Sequence, residues 1–201
     1  MWKWILVTCI ACSAILDAET NVLAFAGSAR QDSVNKKLIS EAAATARQMG
    51  ANVTVIDLKD FQTPFFSEDI ERNEGMPAKA RKLRQLMMKS QVIIIASPEY
   101  NGSLSGLLKN TIDWASRNEN GGPSQDAFKG KKFVIMSASP GSGGGIRGLE
   151  HLRTILQDIG GNVLPQQIVV PDAYTAFDEQ GKLKNKQLKL DMQQALQKAL
   201  N

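Results

Sequence analysis

Residues 21–36 read Asn21-Val22-Leu23-Ala24-Phe25-Ala26-Gly27-Ser28-Ala29-Arg30-Gln31-Asp32-Ser33-Val34-Asn35-Lys36. The first six residues are an apolar run typical of a buried strand, and a glycine turn then leads into a helical pattern. This arrangement points the N–H groups of the helix's first turn outward, where the helix dipole favours an anion. Ser28, Ser33 and Asn35 add neutral hydrogen-bond donors. Because the planar cation of Arg30 also suits a phosphate, we predict a phosphate-binding loop; the alternative is a hydrophilic turn with an ordinary N-cap.

The composition indicates one globular domain. The 201 residues suffice for one full core, and 43% apolar with 22% charged residues is ordinary for a folded protein. The net charge of +4 comes from scattered Lys and Arg, so no nucleic-acid partner is predicted. Cys9 and Cys12 both lie in the first dozen residues, which leaves the domain without a disulfide framework or a thiolate metal site. The single histidine, His151, argues against zinc chemistry and against a Ser-His hydrolase, so we predict no metal.

Residues 1–20 differ from the rest of the chain. One positive charge near Met1 is followed by an apolar run over residues 5–16 and a polar end at Asp17-Ala18-Glu19-Thr20. This pattern outlines a weak secretory signal and is too short to span a membrane. The alternative is an extension ahead of the first strand. We therefore separate a leader over residues 1–20 from the domain over residues 21–201.

From residue 21 onward, short β-branched runs alternate with helical periods, the pattern of βαβ units. The predicted strands cover residues 22–26, 52–57, 92–97, 132–138 and 163–170. The predicted helices cover residues 34–49, 77–89, 104–117, 145–159 and 183–199. The run Val92-Ile93-Ile94-Ile95-Ala96 is apolar without alternation, as expected for a central parallel strand covered on both faces. We predict an α/β, doubly wound, three-layer domain with a five-stranded parallel sheet.

Two further loops should lie beside the phosphate loop, since ligands bind at the carboxyl ends of the strands in such sheets. One is Ser97-Pro98-Glu99-Tyr100-Asn101-Gly102-Ser103, in which Asn101-Gly102 permits a sharp turn and Tyr100 offers a flat face. The other is Ser139-Pro140-Gly141-Ser142-Gly143-Gly144-Gly145, whose missing side chains admit a bulky flat ligand. A phosphate loop with two ring-accommodating neighbours fits a mononucleotide that carries a planar base. For Glu99, we favour capping the next helix or orienting a neighbouring loop over acid catalysis.

Two other segments leave alternatives open. Residues 143–148 match the G-x-G-x-x-G pattern of dinucleotide-binding folds, but they follow the fourth strand instead of the first, so we disfavour this interpretation. The long connection over residues 61–75 is either a functional loop or a surface loop pinned by Phe65 or Phe66.

The three motifs at residues 27–35, 97–103 and 104–114 together resemble the NAD(P)H-dependent FMN reductase family. These flavodoxin-like enzymes include quinone, chromate and azo-dye reductases. The resemblance covers about residues 21–195. It implies a flavodoxin-like fold with strand order 2-1-3-4-5 and the cofactors FMN and NADPH or NADH.

By position, the resemblance also implies the residues of the FMN site. The FMN phosphate would be bound by Ser28, Arg30, Ser33 and Asn35. The isoalloxazine would be bordered by Pro98, Glu99, Tyr100, Asn101, Gly102 and Ser103, with Ser139, Gly141 and Gly144 on its other edge. Asp69 matches a loop that in this family tends to lie near the dimer partner's site. No side chain is predicted to act as a catalytic nucleophile or base, because the flavin supplies the chemistry.

The resulting functional prediction is a ping-pong oxidoreductase that transfers electrons from NAD(P)H through FMN to a small acceptor such as a quinone, flavin, chromate or azo compound. The alternatives are a flavodoxin-type electron carrier and a non-enzymatic flavin store or regulator. A homodimer or homotetramer through residues 104–117 is predicted because this helix carries more apolar surface than packing against one sheet face needs. The alternative is an ordinary core helix. Because reduced pyridine nucleotides are cytosolic, the predicted location is cytoplasmic, with export as the alternative, and no membrane partner is predicted.

Overall fold

The computed structural model describes residues 19–201, so the predicted leader lies outside the described residues apart from Glu19 and Thr20. The strands are β1 (Asn21–Ala26), β2 (Asn52–Asp57), β3 (Val92–Ala96), β4 (Glu99–Tyr100), β5 (Ser103–Leu104), β6 (Lys132–Ala138), β7 (Asn162–Val163) and β8 (Ile168–Val170). The helices are α1 (Val34–Gln48), α2 (Glu68–Glu74), α3 (Ala78–Lys89), α4 (Gly106–Ala115), α5 (Ile146–Asp158) and α6 (Lys186–Leu200). A 3₁₀ turn over Leu58–Phe61 follows β2.

The main sheet is parallel, with the order β2-β1-β3-β6 and with β7 and β8 both paired to the outer edge of β6. This topology confirms the predicted α/β fold and strand order.

The fifth strand is interrupted, because β7 pairs with the start of β6 and β8 with its end. Pro165 lies in the gap and has no N–H for the ladder. Arg153 donates instead to the carbonyl oxygens of Leu164 (2.8 Å) and Pro165 (3.1 Å).

Helices cover both faces of the sheet. On one face α1 and α6 pack through buried side chains such as Leu38 and Leu196. On the other face α3, α4 and α5 pack through residues such as Leu83, Leu108 and Leu152. All five residues of β3 are buried, which confirms the prediction from its unbroken apolar run. Across residues 19–201, no helix has the length and apolar content needed to cross a membrane.

The long connection after β2 contains α2, which the sequence pattern did not predict. Phe66 anchors it by packing edge-on against Trp114, with 5.1 Å between ring centroids. The Trp114 Nε1 donates to the Pro64 carbonyl at 2.8 Å, and the Asn110 side-chain oxygen accepts from the Phe66 N–H at 2.8 Å. Phe65 is 80% exposed, so Phe66 is the residue that pins this segment to α4.

The apolar side chains of α4 are covered within the chain. Leu108 and Ile112 lie in the core beneath the sheet, while Trp114 is buried together with Met76 and Ala80. As the sequence predicts, α4 therefore carries more apolar surface than the sheet face covers, but the part that holds Trp114 is buried by residues of the same chain. Sequence reasoning could not see that α2 and the start of α3 cover the far side of this helix.

Candidate functional site

The loop between β1 and α1 lies at the carboxyl edge of the sheet. The Gly27 N–H donates to the Ala96 carbonyl at 2.9 Å, which continues the strand pairing up to the turn. Ser28 and Ser33 are buried, whereas Arg30 is exposed. Ser33 is the N-cap residue of α1, but its side chain makes no capping hydrogen bond. The N–H groups of the first turn of α1 are thus left without that side-chain acceptor, as an anion site requires.

Asn35 connects this loop to the next one. Its Nδ2 donates to the Ala138 carbonyl and its Oδ1 accepts from the Ala138 N–H, both at 2.9 Å. Because an amide nitrogen carries two hydrogens, one remains for the predicted phosphate contact. The buried Asn35 side chain therefore sets the distance between the phosphate loop and the end of β6.

The predicted sharp turn is a two-residue hairpin. Strands β4 and β5 pair antiparallel through Tyr100 and Ser103, and Asn101 (φ 51°) and Gly102 (φ 76°) form the connection. Positive φ at both positions is typical of a type I′ turn, for which Asn-Gly is the preferred sequence. Tyr100 is half exposed on this hairpin and lines the cleft.

The Gly-rich loop is shaped by close packing on one side and open space on the other. Gly145 has φ 92°, and a Cβ there would overlap the Ser137 hydroxyl, so only glycine fits. A Cβ on Gly141 or Gly143 would meet no atom within 4 Å. The Ser137 Oγ is buried without a hydrogen-bond partner among the described residues. The loop therefore leaves room for a bulky group beside Gly141.

One cleft collects eight of the thirteen predicted site residues. Its predicted lining residues are Ser28, Arg30, Ser33, Asn35, Pro98, Glu99, Tyr100 and Ser139, and the structure adds Val34, Ala138, Pro140 and Tyr174. Asn101, Gly102, Ser103, Gly141 and Gly144 lie outside this lining. Ser103 faces His151 instead, with 3.1 Å between its Oγ and the His151 Nδ1.

Two residues near the site were missed by sequence reasoning. Tyr174 is 70% exposed in the segment after β8, and no motif or spacing connects it to the other loops. Ser105 is the N-cap of α4 and accepts from the Leu108 N–H at 3.1 Å, while its hydroxyl donates to the Gly27 carbonyl at 2.6 Å. A serine just before a predicted helix is a recognisable N-cap signal, so Ser105 could have been found.

The charges of the cleft leave a cation available for an anionic ligand. Arg30 forms no salt bridge with any residue between 19 and 201, whereas Lys36 nearby is paired with Asp57 at 2.6 Å. Burial alone would raise the pKa of Asp57, but the Lys36 and Lys59 contacts outweigh it and the pKa is lowered. No group of three or more His, Cys, Asp or Glu side chains in the described part of the chain could hold a metal ion.

The dinucleotide interpretation of residues 143–148 is disfavoured by the structure. The Gly148 N–H in the first turn of α5 donates to the Glu99 carboxylate at 3.0 Å. A pyrophosphate at this helix N-terminus would have to displace a carboxylate that already occupies the anion position.

Comparison with known proteins gives a consistent family. The profile of a family described as NADPH-dependent FMN reductase matches residues 20–175. An NAD(P)H-dependent FMN reductase of Pseudomonas aeruginosa is 33% identical over 180 residues, which cover 89% of this chain and 92% of that protein. A quinone reductase of Escherichia coli is 32% identical over 144 residues, which cover 70% of this chain and 71% of that protein. Among solved structures, the flavoenzyme NAD(P)H:(acceptor) oxidoreductase FerB of Paracoccus denitrificans superposes with a TM-score of 0.74 at 24% identity, covering 90% of this chain and 95% of that one.

Proposed function

Because this chain belongs to the NADPH-dependent FMN reductase family, we propose that its cleft binds FMN and transfers electrons from NAD(P)H to a small acceptor by a ping-pong mechanism. The chain is an oxidoreductase of the FMN- and NAD(P)H-dependent kind. The observation that carries the proposal is the single cleft that joins the phosphate loop, the Tyr100 hairpin and Ser139 at the start of the Gly-rich loop.

The residues present fit FMN. The uncapped first turn of α1 and the exposed Arg30 suit the phosphate, while Ser28 and Ser33 supply hydroxyl groups beside it. Tyr100 offers a half-exposed flat ring, and the open space around Gly141 accommodates a planar group. The charge, the shape and the order of these loops match a nucleotide with its phosphate at β1 and its ring near β3 and β6.

A bound FMN would supply the redox chemistry that links NAD(P)H to the acceptor. The chain's own residues bind and orient: the Arg30 loop holds the phosphate, and the hairpin and Gly-rich loop hold the ring edges. Their backbone N–H groups stabilise negative charge that develops on the ring. The open side of the cleft would receive NAD(P)H and then the acceptor in turn.

The acceptor proposed for this chain is a small electron-poor molecule, such as a quinone, free flavin, chromate or azo compound. Two relatives described as quinone reductases, from Escherichia coli and Pseudomonas putida, support the quinone class. Since NAD(P)H is the donor, we propose that the enzyme works in the cytoplasm.

Reduction of the bound flavin tests this function directly. The FMN-loaded protein is mixed anaerobically with NADPH or NADH in a stopped-flow instrument, and the visible absorbance of the flavin is followed. We expect bleaching within seconds and recovery when a quinone is added. Bound FMN that is not reduced by either nucleotide would favour a flavodoxin-type carrier and exclude the reductase.

Replacement of Gly141 with Ala tests where the ring lies. A Cβ at this position meets open space, so the free energy of unfolding should not change. If the flavin fills that space, overpacking by about 1–3 kcal/mol lowers FMN affinity at least several-fold. The Gly143→Ala variant, which has equally open space but is not a predicted contact, serves as the matched control in fluorescence titrations. Unchanged affinity in Gly141→Ala would place the ring elsewhere.

We also propose a homodimer or homotetramer through the region of α4. The candidate surface is a groove between α4 and α5 lined by Leu104, Gly106, Lys109, His151 and Thr154. Light scattering should give the mass of two or four chains. Thr154→Arg, which places a long charged side chain in the groove, should lower the measured mass. A wild-type monomer at every concentration would contradict the proposal.

Asp69, which is exposed and paired with Arg72, stays a predicted neighbour of the partner's site.

A further inference from the structure

Glu99 links the β4–β5 hairpin, which borders the cleft, to the start of helix α5. It lies on the inner side of the hairpin with its side chain only 10% exposed. Its Oε2 accepts from the Gly148 N–H at 3.0 Å, and its Oε1 accepts from Arg147 Nη2 at 2.8 Å and Nε at 3.2 Å. One carboxylate therefore binds both a backbone group and a side chain of α5 across 49 positions of sequence.

Helix α5 needs an acceptor from outside itself. Its N-cap is Gly145, which has no side chain and makes no side-chain capping bond. The first-turn N–H groups of a helix have no partner within the helix, and a negative charge stabilises that end. The Glu99 carboxylate supplies both the hydrogen-bond acceptor and the charge that Gly145 cannot.

The hairpin also packs closely along the start of α5. A Cβ on Gly148 would lie 3.2 Å from the Ser103 carbonyl oxygen and 3.4 Å from the Glu99 Cβ, so glycine permits this approach. One turn further, the His151 Nδ1 lies 3.1 Å from the Ser103 Oγ. The hairpin is thus attached to α5 at both of its strands.

The protonation state of Glu99 suits a group that only accepts hydrogen bonds. Burial alone would raise the pKa of Glu99, but hydrogen bonds from the Gly148 N–H and from Arg147 outweigh it, so the pKa is lowered below 4.5. The group is a carboxylate at neutral pH, which accepts hydrogen bonds and has no proton to donate.

We propose that Glu99 is a positioning residue that holds the β4–β5 hairpin against the N-terminus of α5 and thereby fixes the hairpin and the Gly-rich loop relative to each other. Gly144 and Gly145 lead directly into α5, so movement of the helix start displaces the Gly-rich loop. The hairpin carries Tyr100. The inference rests on the proposed function for the identity of the ligand, whereas the attachment of the hairpin to α5 rests on hydrogen bonds within the chain.

Three variants separate the parts of this contact. Glu99→Gln keeps an oxygen acceptor for the Gly148 N–H, and Arg147, whose side chain is 73% exposed, can turn to solvent. Glu99→Ala removes the acceptor. Arg147→Ala removes only the exposed partner, and exposed ion pairs contribute little.

Affinities for FMN and for riboflavin, which lacks the phosphate, give the first measurement. Glu99→Ala should weaken both ligands by the same factor, about tenfold for one lost hydrogen bond to a charged group. Arg147→Ala should remain within about twofold of the unmodified chain, and Glu99→Gln, which keeps the acceptor but loses the charge, should lose less affinity than Glu99→Ala. Wild-type affinities in Glu99→Ala, a loss confined to FMN, or an equal loss in Glu99→Gln would each overturn the proposal.

Amide hydrogen exchange without ligand gives the second measurement. In Glu99→Ala, exchange should accelerate together at Gly148 and at Asn101 to Ser103, while amides of β1 remain unchanged. Faster exchange at Gly148 alone would show that the hairpin is held independently and would overturn the proposal. If the unmodified chain binds no flavin, the proposed function fails, whereas the exchange result still tests the attachment.

Discussion

Arg30→Ala is expected to lower FMN affinity by about 10- to 100-fold, since hydrogen bonds to a charged group contribute about 1.5–3 kcal/mol. Arg30 lies on the cleft and, within the described residues, has no salt-bridge partner to compete with a phosphate. Riboflavin affinity should stay unchanged because riboflavin has no phosphate. Calorimetric titration with the two flavins measures both values.

The same variant should fold normally. Arg30 is exposed, and surface substitutions usually change the free energy of unfolding by less than about 0.5 kcal/mol. Arg72→Ala, an exposed arginine on α2 outside the cleft lining, is the matched control and should bind FMN as the unmodified chain does. An equal loss of riboflavin and FMN in Arg30→Ala would contradict a phosphate role.

Arg117→Ala is expected to lower the free energy of unfolding by about 1.5–3 kcal/mol, because it removes the charge-assisted hydrogen bonds to the partly buried Glu71. The Arg117 guanidinium donates to both oxygens of Glu71, at 2.9 and 2.6 Å, and the two side chains are only 15% and 8% exposed. Arg117 also lies 5.0 Å from the centroid of the Phe66 ring. The pair therefore fastens α2 and the long connection to the end of α4.

Urea unfolding of single and double variants measures this contribution. The double variant Arg117→Leu with Glu71→Leu should recover most of the loss, since replacing both partners of a buried pair by apolar residues is often nearly neutral. Breaking the exposed pair of Lys109 and Asp113 on α4 is the control and should cost less than about 1 kcal/mol. Additive losses in the double variant would contradict a direct interaction between the two charges.

The pair also gives an acid dependence with a definite sign. The hydrogen bonds from Arg117 hold the pKa of Glu71 below its ordinary value of 4.5, despite partial burial. The stabilisation is therefore fully present above pH 4.5 and is lost as the pH falls through the lowered pKa. In Arg117→Ala, the free energy of unfolding should fall less steeply as the pH is lowered below 4.5.

Much of the fold was predictable because the local pattern and the global structure agree. The unbroken apolar run of β3 indicated a central parallel strand, and all of β3 is buried. Helix α2 was missed because it is short, polar and without buried residues, so it has no apolar period. The break between β7 and β8 depends on Pro165, which could have been recognised from the sequence.

The sequence predicted that three loops meet at one edge of the sheet, but not the hydrogen bonds that join these loops. Each loop carries its own composition signal, and the topology brings the carboxyl ends of β1, β3 and β6 together. The bonds that join the loops connect distant positions: Asn35 to Ala138 spans 103 residues, and Ser105 to Gly27 spans 78. Such pairs are visible only in the packed structure. The same holds for Glu99, which caps α5 and not α4, the next helix along the chain.

A crystal structure of the protein with FMN tests the central claim most directly, because it locates the phosphate and the ring independently of any assay. We expect the phosphate at the first turn of α1, within hydrogen-bond distance of Arg30, and the ring between the Tyr100 hairpin and the loop residues Ser139, Gly141 and Gly144. A phosphate bound at the N-terminus of α5, or anywhere else away from the first turn of α1, would contradict the account.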